Sequence, residues 1–95
     1  MIMSYAKIRW KHQNAYDPVE IYIELDDARW EVRKVEVFSD GSRDFASGSR
    51  SSERTFLSPE KIPSLAEIAA NPEFEAKEIS KEGFEEMWSK ATDNL

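Results

Sequence analysis

From Tyr5 to His12 the chain alternates: Ala6, Ile8, Trp10 and His12 share one parity, and Lys7, Arg9 and Lys11 share the other. A period of two predicts a half-buried first strand with a basic outer face. Asn14 to Pro18 holds Asn, Asp and Pro and predicts a loop. Val19 to Leu25 alternates again, with Val19, Ile21, Ile23 and Leu25 inward and Glu20, Tyr22 and Glu24 outward. The short Asp26-Asp27-Ala28 connection then predicts an antiparallel hairpin with the run from Arg29 to Gly41. That run is dense in Val, Trp and Phe and ends in Asp40-Gly41, a pair suited to a tight turn, so it predicts the central strand. Its apolar positions change parity between Trp30/Val32 and Val35/Val37, which predicts a bulge at Arg33-Lys34. Arg43 to Ala46 should return as a further strand, with Phe45 as its core contact.

The second half is less regular. Ser47 to Thr55 is small and polar with no apolar anchor, and predicts a mobile loop. Arg50 and Arg54 among its serines suit an anion, but the glycine spacing of a phosphate cradle is missing, so the segment reads as a connector. Thr55 to Leu57 predicts a short edge strand or an anchoring point. Ser64-Leu65-Ala66-Glu67 matches a capping box and predicts a short helix that ends by Asn71, before Pro72. Phe74 to Ile79 fits neither period and reads as extended linker or short edge strand. Ser80 suits the N-cap of a last helix, whose Phe84, Met87, Trp88 and Ala91 recur at helical spacing as a core stripe. The predicted class is α+β: a four- to five-stranded, mainly antiparallel meander sheet, with a short helix and a C-terminal helix packed on one face. A chain of 95 residues predicts a single domain over residues 1–95.

Composition narrows the chemistry. There is no cysteine, which excludes disulfides, thiolate metal sites and a thiol nucleophile. No apolar run has the length of a signal peptide or a bilayer span, so the sequence predicts a cytoplasmic protein with no membrane partner. The net charge is −6, divided as −1 over residues 1–50 and −5 over residues 51–95. That distribution argues against general nucleic-acid binding, and it permits a basic protein partner.

The densest single-sign stretch holds Glu73, Glu75, Glu78, Glu82, Glu85 and Glu86, tempered by Lys77 and Lys81. Carboxylates in a first helical turn suit the positive helix end, but three glutamates exceed what capping requires. Lys7, Arg9 and Lys11 have Glu20, Glu24 and Glu31 on neighbouring segments, so cross-strand pairing is their expected use. His12 is the sole histidine, and a strand-end His bonded to backbone is the expectation for it. Asp26-Asp27 lacks calcium-loop spacing, and no metal site or cofactor is predicted.

The chain resembles a family of small, single-domain bacterial proteins known as a domain of unknown function. The resemblance lies in Asp27 to Phe38, in Asp40-Gly41, in Ile68 to Phe74 and in Glu78-Ile79-Ser80, and runs from about Tyr5 to Trp88. It implies a standalone folded unit and brings no reaction or ligand with it.

The resulting functional expectation is a non-catalytic, acidic protein-binding domain. Its most concrete form is an immunity- or antitoxin-like inhibitor of a basic bacterial protein such as a nuclease toxin. Glu75, Glu78, Glu82, Glu85 and Glu86 would meet the partner's Lys and Arg, and Tyr16 or Tyr22 would supply the desolvated anchor. Two alternatives stand beside it: a small hydrolase or nuclease using His12, and nucleic-acid binding through Lys7, Arg9, Lys11 and Arg33.

Overall fold

A computed structural model describes residues 2–93. Its elements are β1 (Ser4–Trp10), β2 (Glu20–Leu25), β3 (Glu31–Val37), β4 (Arg43–Ser47), α1 (Leu65–Ala69), β5 (Phe74–Glu78) and α2 (Lys81–Thr92). The five strands form one open antiparallel sheet in the order β4-β3-β2-β1-β5. This is the predicted α+β class, with strands β1 to β4 as a meander. The strand in the middle is β2 rather than the Arg29–Gly41 run. Phe74–Glu78 joins the sheet beyond β1, so β3 lies one place from an edge. No helix among the described residues is long and apolar enough to cross a membrane.

The parity change in β3 is a bulge, one position earlier than the sequence predicts. Pairing runs from Glu20↔Val37 to Glu24↔Arg33 in one register and then shifts to Leu25↔Glu31, which leaves Val32 as the extra residue. The Glu24–Arg33 ion pair, with Nε 2.7 Å from Oε1, accounts for the position, since it holds Arg33 in register with the rest of β3. At the next turn Gly41 takes φ +87°, and Asp40 Oδ1 accepts from Ser42 N at 2.8 Å. Only glycine adopts that conformation without cost.

The sequence places both helices on one face, and here side-chain alternation decides otherwise. Ala6, Ile8, Ile23 and Leu25 point to the face covered by α1, where Ile62, Leu65, Ile68 and Phe74 pack on them. Tyr5, Val35 and Phe45 point to the opposite face, where α2 lays Phe84 against Tyr5 at 5.4 Å and Trp88 against Phe45 at 5.5 Å between ring centroids. An apolar stripe fixes that a helix docks but not on which side of the sheet.

The serine-rich loop has more anchors than its composition promises. Ser52 accepts from Phe45 N through Oγ at 2.7 Å and donates from its own amide to Phe45 O at 2.8 Å. Arg54 binds Asp44, with Nε 2.8 Å from Oδ2, and its guanidinium lies 3.7 Å from the centroid of Phe38. These polar contacts tie the segment to β4, in place of the mobile connector expected. Thr55 is a buried anchor that donates to Glu36 Oε1 at 2.6 Å, and no strand forms around it. Both predicted helix caps are present: Ser64 Oγ accepts from Glu67 N at 3.2 Å, and Ser80 Oγ accepts from Gly83 N at 3.0 Å.

Candidate interaction surface

The glutamates that crowd together in sequence are dispersed in space. Glu75 lies opposite Arg9 in the sheet and pairs with Lys11 at 3.0 Å, which holds its carboxyl below the usual carboxylate range. Glu78, opposite Ala6, is on the other face. Along α2, Glu82 is exposed, Glu86 pairs with Lys90 at 3.3 Å, and Glu85 turns inward to Arg33. Glu85 Oε1 is 2.7 Å from Arg33 Nη2 but meets no aligned hydrogen-bond donor, so the contact is one of charge. The strand period separates Glu75 from Glu78, and in α2 Glu85 follows the buried Phe84 and is held inward by Arg33 while Glu82 and Glu86 stay exposed.

The two predicted anchors are apart as well. Tyr16 is 89% exposed, in the β1–β2 loop, at the end of the sheet remote from the start of α2. Tyr22 is half-buried in mid-sheet, where its hydroxyl donates to Glu20 at 3.3 Å and Lys7 Nζ lies 5.5 Å from its ring centroid.

What the register does bring together is the end where β1 and β3 begin and β2 and β5 finish. Asp26 and Asp27 occupy the β2–β3 turn, Glu78 closes β5, and Glu82 opens α2. Asp27, Glu78 and Glu82 are exposed and have no ion-pair partner among the described residues. Ile2 (80% exposed) and Trp30 (42% exposed) are the apolar groups at this end. The turn that leads to Trp30 is well braced. Asp26 Oδ1 accepts from Ala28 N and Trp30 N at 2.9 and 3.0 Å. Arg29, at φ +72°, donates to the carbonyls of Ile62 and Pro63 at 2.8 and 2.6 Å, while Ile62 N returns a bond to Arg29 O at 2.9 Å. Sequence reasoning missed Trp30 because a Trp in a β-rich run reads as strand core. Its signal was the adjoining Asp26-Asp27 turn, which places it at the mouth of a hairpin.

Of the remaining candidates, His12, Lys7 and Arg33 are engaged internally. His12 Nδ1 accepts from Asn14 N at 2.9 Å, so Nε2 carries the proton and donates to Pro18 O at 2.8 Å. Both ring nitrogens are thereby occupied by backbone. Lys7 pairs with Glu20 at 3.2 Å, across the strands as expected. Arg33 lies beneath α2, with Phe84 and Trp88 at 4.9 and 5.1 Å, so the four basic residues do not form one exposed face. Its bidentate bond to Glu24, at 2.7 and 3.0 Å, raises the Arg33 pKa and holds the Glu24 carboxyl below its usual range. Tyr5 completes the network by donating to Glu24 Oε2 at 2.9 Å. Among the described residues no three His, Asp or Glu side chains converge in a metal-holding group.

A model of a family described as Domain of unknown function (DUF6881) matches residues 4–93. No curated protein and no solved structure matches the chain.

Proposed function

The chain belongs to that family, DUF6881, and we propose that it is a non-catalytic domain that binds a basic protein through the acidic end of its sheet. One observation carries this reading: Asp27, Glu78 and Glu82, without ion-pair partners among the described residues, share an end of the sheet with the exposed Trp30 and Ile2. Carboxylates on a rim accelerate encounter with a positive surface, and an aromatic beside them supplies the desolvated contact that slows release. The braced turn keeps Trp30 in place before binding, which lowers the ordering cost. In its most concrete form the domain is an immunity- or antitoxin-type inhibitor. Its acidic end covers the basic substrate surface of a toxin such as a nuclease and blocks it sterically and electrostatically.

The test is affinity capture of the tagged protein from its own cells at low and moderate salt, with mass spectrometry of what is retained. A stoichiometric basic protein, lost as salt rises, is the expected result. With that partner in hand, Asp27→Lys/Glu78→Lys/Glu82→Lys should slow association by about tenfold or more. Trp30→Ala should instead speed dissociation. An unchanged association rate and salt dependence in the triple variant would remove this surface from the reading. Recovery of the bait alone at both salt concentrations would count against a protein partner.

A further inference from the structure

The face of the sheet opposite α2 carries an open hollow of about 490 Å3 between the strands, α1 and the segment before it. Ile8, Ile21 and Ile23 form its floor, Ile68 and Phe74 stand at its sides, and Pro63 lies at its rim. That volume falls in the range of small-molecule sites, roughly 300–1,000 Å3. Arg29 holds the covering segment in place through its bonds to Ile62 and Pro63, so the hollow is built into the fold by a brace rather than left by loose packing.

One charged pair is set into this apolar lining. Glu31 and Lys34 have side chains only 4% and 12% exposed, and Lys34 Nζ lies 3.0 Å from Glu31 Oε1. The same carboxylate oxygen accepts from Ser58 N at 2.6 Å. Lys34 Nζ has no second protein acceptor, and Glu31 Oε2 has no protein donor, among the described residues. An ammonium carries three donors and a carboxylate accepts on both oxygens, so the pair retains donor and acceptor capacity toward the hollow. In the open hollow this capacity faces solvent, and a ligand hydroxyl can take the place of water there.

We propose that this hollow is a binding site for a neutral, medium-chain aliphatic alcohol or a ligand of the same chemistry, with its chain on the isoleucine floor and its hydroxyl between Lys34 and Glu31. A hydroxyl accepts from the ammonium and donates to the carboxylate through one oxygen, which matches the pair's remaining donor and acceptor. A carboxylate head meets repulsion from Glu31 and from Glu67 at the rim, and an ammonium head meets repulsion from Lys34. The apolar chain gains from leaving water, at roughly 25 cal/mol per Å2 buried. This site does not depend on the acidic end of the sheet, and either can fail without the other.

The experiment is amide and methyl NMR of the isotope-labelled full chain titrated separately with octanol, octanoate and octylamine. Octanol should produce saturating shifts centred on Ile8, Ile23, Ile68 and Phe74, and should bind at least about tenfold more tightly than either charged analogue. Ile68→Trp fills the hollow and should abolish the saturating shifts while the spectrum stays dispersed. If that variant fails to fold, Glu31→Gln/Lys34→Met serves instead, since it keeps an acceptor for Ser58 and should weaken octanol binding about fivefold or more. The absence of saturating shifts at these residues in the unmodified protein overturns the proposal. So does octanoate or octylamine binding as tightly as octanol.

Discussion

Arg33 does three jobs with one side chain: it forks onto Glu24, counters the charge of Glu85 and lies against Phe84 and Trp88. Removing one partner of such a pair leaves the other charge nearly buried and unpaired. Arg33→Met should therefore cost about 3 kcal/mol in urea denaturation, and Glu24→Gln added to it should recover part of that loss. The same pair sets an acid limb. Its bond to Arg33 lowers the Glu24 pKa against the opposing effect of burial, with help from the Tyr5 hydroxyl. The stabilisation is present above the unfolded carboxylate value of about 4.3 and is lost as pH falls through the depressed folded value. The melting temperature should fall in that acid window, and Glu24→Gln should fall less steeply over it. An identical acid limb in that variant would place the titration elsewhere. At this scale strand parity made Lys7–Glu20 readable in the sequence. Glu24 was expected to take a base from the first strand, but β3 offers it Arg33 directly opposite.

The two helices show what periodicity can and cannot supply. The last helix was legible in full: Ser80 caps it, and Phe84 at its inner face is completely buried. Phe84→Ala should cost about 3–5 kcal/mol and Ser80→Ala about 1 kcal/mol, both by chemical denaturation. A Phe84→Ala loss below that of Ser80→Ala would mean that α2 contributes little to the second apolar layer. The side of the sheet was not legible, because both faces expose apolar rows and the stripe matches either. Phe74–Glu78 was ambiguous for a related reason: an edge strand paired along one side alternates Phe and Ala with Glu and Lys, and its charges mask the short apolar pattern. In the serine loop only the anchor at Thr55 was legible, and those at Ser52 and Arg54 were not. Polar contacts across a loop leave no period in the sequence.

For the whole molecule the governing quantity is register. It scatters the glutamates that look like a patch, and it places Asp27, Trp30, Glu78 and Glu82, from two separate stretches, at one end of the sheet. Register also leaves two sheet edges to protect, because an exposed row of backbone groups invites pairing with another chain. The β5 edge carries Glu75, Lys77 and Glu78, charges that oppose such pairing. The β4 edge is covered differently: the serine loop folds back along it, with an Ala46↔Ser51 bridge, Ser47 N donating to Arg50 O at 2.6 Å, and Ser52 meeting both backbone groups of Phe45. Ser52→Pro deletes both the amide and the hydroxyl that hold this cover, without touching the residues of either apolar layer. Light scattering coupled to size exclusion should then show a concentration-dependent dimer, and the Phe45 amide should lose its protection from hydrogen exchange in the monomer. Ser52→Ala keeps the amide bond to Phe45 O and should remain monomeric. If Ser52→Pro stays monomeric at every concentration while Phe45 exchanges freely, the loop is not what keeps that edge from pairing.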